Sequence, residues 1–247
     1  MPEPTMLARL AVRDYPKNSQ PIMQQRWDQL LFLHWEYDPQ LIQKILPPGL
    51  HVDLYEGKAY VGLTPFFLKG LKPKLLIPLP GIPDFMEMNL RTYVYDDKGT
   101  PGVWFFSLDA NNWLAVQTAR NFFHLPYFYA TMESYTNDGE IAYRCERQEM
   151  EYSVEFLYKG TGNSFSAEPG SLEFFLVERY VLFAYTGNEL AMARIHHAPY
   201  PLQQGQAMKW DDKVFEWDKL ERPTRQPDHL LFSPGVDVDI FNLQMIS

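Results

Sequence analysis

The chain has 247 residues, 46% of them hydrophobic and 15% aromatic, with 31 acidic against 22 basic side chains and a formal charge of -9. This is the composition of a folded chain with a bulky, β-prone interior, and it excludes a disordered one. The acidic balance offers no basic surface for nucleic acid, no apolar run approaches the roughly 18 residues of a membrane span, and the single Cys145 precludes an internal disulfide.

Met1 to Tyr15 mixes Glu3, Arg9, Arg13 and Asp14 with no apolar stretch, so no secretory leader is expected and the chain reads as cytoplasmic. No repeat, linker or low-complexity tract divides it, which points to one domain over residues 1–247. The first clear element is a helix from Asp38 to Leu46. Asp38 can cap it, Pro39 suits its first position, and Pro47-Pro48-Gly49 stops it. Leu50, Val52 and Leu54 then alternate with polar residues, and Glu56-Gly57 turns the chain into a second strand from Tyr60 to Phe67, a hairpin signal. Between Lys69 and Asp84, four prolines deny regular hydrogen bonding while the leucines call for burial. That segment reads as a lid at a pocket mouth, as a packed surface loop or as an oligomer contact.

Met86 to Tyr95 is the most informative strand. Met86, Met88, Leu90, Thr92 and Val94 take one face, and Glu87, Asn89, Arg91 and Tyr93 the other. Val103 to Asp109 returns as an apolar strand, and Asn111 or Asn112 caps a helix running to His124. Tyr127–Tyr135 and Glu140–Arg147 flank an Asn-Asp-Gly hairpin turn. Further on come a strand over 149–158, a short helix over 171–179, a hairpin around Thr186-Gly187-Asn188 and two strands near 207–210 and 237–242. Many antiparallel strands with two or three helices describe an α+β fold built on a curled β-barrel.

The polar face of the 86–95 strand carries the chemistry. Period two spaces Glu87, Asn89 and Arg91 about 6–7 Å apart on one side. If that side lines an interior, Arg91 can clamp a carboxylate through two N–H···O bonds, and burial can raise Glu87 into a proton-exchanging range. The alternative is a solvated outer face. No HExxH spacing or other ligand cluster announces a metal, no GxSxG elbow a nucleophile, and no motif a cofactor. Gly160-Thr161-Gly162-Asn163-Ser164 lacks the lysine of a phosphate loop and reads as a turn.

The segments QRWDQLLFLHWEYD, ILPPGLHVDLYEGKAYVGLTPF, MNLRTYVYDDKGTPGVWFFSLDA, AVQTARNFFHLPYFYA and VERYVLFA together resemble the YqjF-like family of uncharacterised bacterial proteins, from about residue 22 to about residue 242. That family is similar to the acetoacetate decarboxylase-like superfamily, whose single-domain, cone-shaped barrel surrounds a buried pocket. The resemblance implies that Glu87 corresponds to a pocket-facing glutamate. It aligns Arg120 to Phe128 with the stretch that in the decarboxylases carries an arginine, a proline and then paired lysines. Arg120 and Pro126 match, but Tyr127 and Phe128 stand in the lysine positions. A phenol with a pKa of about 10 forms no iminium, so the Schiff-base decarboxylation does not carry over.

Three functions remain open. One is a binding fold in which Asn89, Arg91 and Arg120 hold a small anionic or carbonyl-containing ligand. The second is a lyase- or hydratase-like enzyme with Glu87 as acid/base and Tyr127 as electrophile. The third is a structural or homo-oligomerising protein with a disused pocket.

Overall fold

The computed structural model describes residues 2–17, 19–74, 82–148 and 150–246. In chain order the elements are α1 (Met6–Ala11), β1 (Met23–Tyr37), α2 (Pro39–Ile45), β2 (Leu50–Val52), β3 (Ala59–Pro73), β4 (Phe85–Asp96), β5 (Pro101–Ala110), α3 (Trp113–Thr118), β6 (Tyr127–Asn137), β7 (Glu140–Arg147), β8 (Val154–Phe165), α4 (Leu172–Val177), β9 (Val181–Thr186), β10 (Glu189–His197), β11 (Leu202–Lys209), α5 (Val214–Trp217) and β12 (His229–Met245). A π-helical turn over Ala119–Phe123 follows α3.

Local chemistry accounts for the helix starts. Asp38 accepts from Gln40 N with Pro39 in the first turn, Asn112 accepts from Ala115 N, and Ser171 accepts from Phe174 N. The Asn137-Asp138-Gly139 turn places Asp138 and Gly139 at φ +48° and +79°, the conformation that closes a two-residue hairpin between β6 and β7.

The twelve strands form one sheet that closes on itself twice. One ring runs β12–β1–β3–β4–β5–β9–β10 and back to β12. A second leaves β5 through β6, β7, β8 and β11 and returns through β12, sharing β1, β3 and β4. Pairing is antiparallel throughout except where β5 meets β6 and β9. The shared strands are therefore covered on both faces. Leu30 and Phe32 of β1 join Tyr60, Tyr93 and Phe175 in the first core, while Leu31, Leu33 and Trp35 join Met88, Tyr143 and Phe156 in the second.

Charged groups tie the rings together. In the second, Arg147 of β7 donates to both oxygens of Asp109 on β5 at 2.6 and 2.8 Å and to Asp218 after α5 at 2.8 Å. Its guanidinium also lies 4.2 Å from the Phe128 ring centroid. At the edge of the first ring, Asp53 receives two 2.7 Å bonds from Arg9 of α1 and one of 2.8 Å from Arg179. This ion-pair set holds a helix that buries no residue of its own.

The architecture agrees with the expected α+β class, with corrections in detail. Among the described residues there are five short α-helices rather than two or three; α1 and α5 are additional because six- and four-residue helices leave little periodicity to read. Leu50–Val52 pairs with β4 rather than returning against β3, so the expected 50–67 hairpin survives only as the Tyr55–Lys58 bridge. Residues 160–164 continue β8 instead of turning. A Cβ on Gly160 would stand 2.2 Å from the Phe232 ring and 2.3 Å from Gln203 Oε1, so this glycine serves a close crossing between strands. Gly160→Ala is accordingly expected to lower stability by about 1–3 kcal/mol through overpacking, read as a reduced denaturant midpoint. Of the suspected lid, residues 69–73 complete β3, whereas 75–81 lie outside the described residues.

Candidate functional site

Strand β4 is buried along its whole length between β3 and β5, so the polar face that sequence spacing defined looks inward. Glu87, Asn89 and Arg91 are 3%, 5% and 8% exposed, which removes the solvated-face alternative. Phe85 and Tyr93, on the same side of the strand, belong to the core of the first ring, and Met86, Met88 and Leu90 to that of the second.

Tyr127 opens β6, where Arg120 Nε donates to its carbonyl at 2.6 Å and Leu108 N to the Pro126 carbonyl at 3.0 Å. Thus anchored, the Tyr127 hydroxyl donates to Glu87 Oε2 at 2.8 Å. Burial pushes the Glu87 carboxyl up to about 8; the Tyr127 hydrogen bond opposes that and the Asp109 charge adds to it. Burial, and then Glu87 itself, push the Tyr127 phenol well above its ordinary range. At neutral pH the pair is therefore a carboxylic acid against a phenol, two groups able to donate or share protons and neither carrying charge.

Arg91 differs from every other buried arginine in its partners. Arg147 and Arg179 each have carboxylates within ion-pair distance, but Arg91 has none among the described residues. Its Nη2 donates to the Leu176 carbonyl at 3.3 Å, its Nε has no partner, and its guanidinium lies 5.7 and 5.8 Å from the ring centroids of Phe32 and Tyr93. Beside it, Asn89 Oδ1 and the directly opposed Thr64 Oγ1 on β3 are also buried without partners. Thr64 escaped the sequence reading because a threonine in a strand carries no chemical signal of its own.

The structure thus gathers Glu87, Asn89, Arg91 and the Tyr127 hydroxyl on the inward side. It leaves Arg120 exposed, its guanidinium 5.7 Å from the Phe128 ring and committed to the Tyr127 backbone. Among the described residues, which include all eleven lysines, no lysine is buried, and Lys58, Lys69, Lys159, Lys209 and Lys213 are paired with carboxylates. No buried lysine is therefore available for an iminium. No group of three or more His, Cys, Asp and Glu side chains among the described residues is arranged to hold a metal ion, and no described helix is long and apolar enough to cross a membrane.

Comparison with known proteins fits this geometry. The model of the DUF2071 family, described as an uncharacterized conserved protein, matches residues 24–237. The uncharacterized protein YqjF of Bacillus subtilis (strain 168) is 43% identical over 187 residues, which span 75% of this chain and 77% of that relative. Among solved structures, acetoacetate decarboxylase from Legionella pneumophila superposes with a TM-score of 0.65 at 12% identity, over 95% of this chain and 91% of its own. The enduracididine biosynthesis enzyme MppR, complexed with pyruvate, gives a TM-score of 0.62 at 12% identity, over 92% of this chain and 91% of its own. At such identities the likeness is one of fold.

Proposed function

This chain belongs to the DUF2071 family of uncharacterized conserved proteins, and on that premise we propose that it binds a small carboxylate- or carbonyl-bearing molecule inside the first strand ring, against the polar face of β4. The observation that carries the reading is Arg91, a buried guanidinium without a carboxylate partner among the described residues. An uncompensated buried ion costs several kcal/mol, and an incoming anion with two oxygens offsets that cost through charge-assisted bonds. Asn89 and Thr64 supply neutral polar contacts alongside. Arg120 acts from outside by fixing the start of β6 and so aiming Tyr127. A 2-oxo acid, the class to which the pyruvate seen on MppR belongs, carries a carboxylate suited to Arg91 and a carbonyl of the kind the Glu87–Tyr127 pair would protonate, and a molecule longer than pyruvate is needed to meet both at once.

A thermal-shift panel of small oxo, hydroxy and carboxylic acids tests this, with the wild type compared against Arg91→Met. A ligand at a hundred times its dissociation constant adds about 2.7 kcal/mol. The expected result is a saturable rise of several degrees with at least one acid, absent in Arg91→Met. A flat response across the panel, or an equal rise in the variant, overturns the reading.

One observation favours chemistry in addition to binding: Glu87 is free of Arg91 and hydrogen-bonded to Tyr127. A neutral carboxyl at that place can protonate a carbonyl oxygen or return a proton to carbon, as a lyase or hydratase requires, without an iminium. With an acid from the panel that binds, Glu87→Gln is expected to slow solvent-deuterium uptake into the ligand at least ~100-fold while leaving binding intact. Equal uptake by both proteins removes Glu87 from any such step.

A further inference from the structure

One row crosses four strands of the first ring. His229 on β12 is directly opposite His34 on β1, His34 is opposite Gly62 on β3, and Gly62 is opposite Arg91 on β4. Residues opposed in this way share a face of the sheet. The row therefore reads imidazole, imidazole, glycine, guanidinium, and because residue 62 has no side chain the His34 ring and the Tyr93 hydroxyl close over it. A Cβ there would stand 3.0 Å from Tyr93 Oη, 3.1 Å from His34 Cδ2 and 3.4 Å from His34 Nε2. Three polar atoms around this glycine, His34 Nε2, Tyr93 Oη and Arg91 Nε, are buried without partners among the described residues.

The outer half of the row is held by one ion-pair contact and one contact between imidazoles. Glu173 in the first turn of α4, part-exposed, places Oε1 3.6 Å from His229 Nε2, and His229 Nδ1 lies 3.3 Å from His34 Nδ1. A neutral imidazole has one N–H and one lone pair, so two facing Nδ1 atoms share a single proton. A carboxylate 3.6 Å from His229 Nε2 favours by its charge the tautomer with the N–H on that nitrogen. His229 Nδ1 is then the acceptor, His34 Nδ1 the donor, and His34 Nε2 is left with its lone pair.

We propose that Glu173 and His229 are positioning residues that fix His34 with its proton on Nδ1, so that His34 Nε2 keeps its lone pair over Gly62, near the Tyr93 hydroxyl, as a base for an O–H or acidic C–H of a ligand whose anion is held by Arg91. The ligand half of this statement rests on the binding reading above; the protonation half does not. The groups facing His34 are Arg91 and Tyr93 from β4 and His229 from β12. Burial, the His229 ring and the Arg91 charge all hold His34 well below its ordinary value, so it stays neutral near pH 7. Transfer balances without a lasting imidazolium beside Arg91. The ligand proton goes to His34 Nε2, the His34 Nδ1 proton to His229 Nδ1, and the His229 Nε2 proton to Glu173, which exchanges it with solvent. The ligand is left with the electron pair and the carboxyl with the proton.

The test is nitrogen-15 NMR of histidine-labelled protein without any ligand, with His34→Gln used to assign the signals. The wild type is expected to show His34 with a protonated Nδ1 and an unprotonated Nε2 across neutral pH, and Glu173→Ala is expected to abolish this fixed tautomer. A wild-type His34 carrying its proton on Nε2, or a tautomer unchanged in Glu173→Ala, overturns the proposal. Because the readout needs no ligand, a flat thermal-shift panel would defeat the binding reading and leave this result standing on its own.

Discussion

Arg147→Met is expected to cost about 3–5 kcal/mol of folding stability, the typical penalty for removing one partner of a buried ion pair. The side chain is 1% exposed, and it satisfies Asp109 through two hydrogen bonds and Asp218 through a third. Methionine fills similar volume against Phe128 and Trp217 but leaves two carboxylates, 1% and 5% exposed, without a counter-charge. The loss should appear as a lower denaturant midpoint with an unchanged slope, since native and denatured surfaces are little altered. Arg147→Met combined with Asp109→Leu is expected to recover part of it, because an apolar pair of similar volume often replaces a buried ion pair at little net cost. A loss below ~1 kcal/mol in the single variant would show that the network does not hold the second ring together.

Glu87 gives the second large effect, and its direction is unusual for a carboxylate. The folded protein holds the Glu87 proton up to about pH 8, whereas the unfolded chain releases it near 4.5. Between those values the native state binds more protons than the unfolded one, so stability falls as pH rises. The contribution is complete below the unfolded value and is lost as pH passes through the folded one. At about 1.4 kcal/mol per unit, the loss over the whole window has an upper bound of about 5 kcal/mol. Glu87→Gln keeps the size and the acceptor for Tyr127 while removing the ionisation. Its stability is expected to decline less between pH 5 and 8 than that of the wild type, by a few kcal/mol. Asp109 also titrates from a buried position and its charge acts on Glu87, so the difference between the two profiles reports Glu87 together with its coupling to Asp109. Parallel profiles would mean that Glu87 is ionised at neutral pH like an ordinary glutamate.

The elements that were legible in the sequence are those whose signal is local. Asp38-Pro39, Asn112 and Ser171 announced their helices by capping chemistry, and Asn137-Asp138-Gly139 announced its hairpin by the two positive φ angles it must adopt. The strand β4 was legible for a different reason. Its two faces differ in chemistry even though both are buried, so polar and apolar residues alternate. Strand β1 shows the converse. In LLFLHWEY both faces pack against cores, the alternation vanishes, and a fifteen-residue strand leaves no period to read. Gly160 misled because glycine marks turns far more visibly than it marks close strand crossings.

For the candidate site, spacing brought Glu87, Asn89 and Arg91 together correctly, since three alternate residues of one strand cannot be separated by folding. It could not tell inside from outside, which depends on ring closure through β12, β10 and β9. Tyr127 reached the site through family resemblance to a lysine position, and the hydroxyl does meet Glu87. Arg120, 24 residues beyond the end of β4 at Asp96 and equally favoured by resemblance, proved to hold backbone on the exposed side. The Glu173–His229–His34 series lay beyond sequence reasoning because its members are 56 and 195 residues apart. The one available hint was a histidine set inside an otherwise apolar run.

The central claim is that Glu87 enters the interior as a protonated acid, on the same strand face as an arginine that no carboxylate among the described residues neutralises. Carbon-13 NMR of the glutamate side-chain carboxyls, with Glu87 assigned by its loss in Glu87→Gln, measures this directly. The signal is expected to titrate with a midpoint about 8 and to move upward in Tyr127→Phe, where the hydrogen bond favouring the anion is gone. A midpoint near 4.5 would contradict the claim, since Glu87 would then be an ordinary ionised glutamate and no acid for the chemistry drawn here.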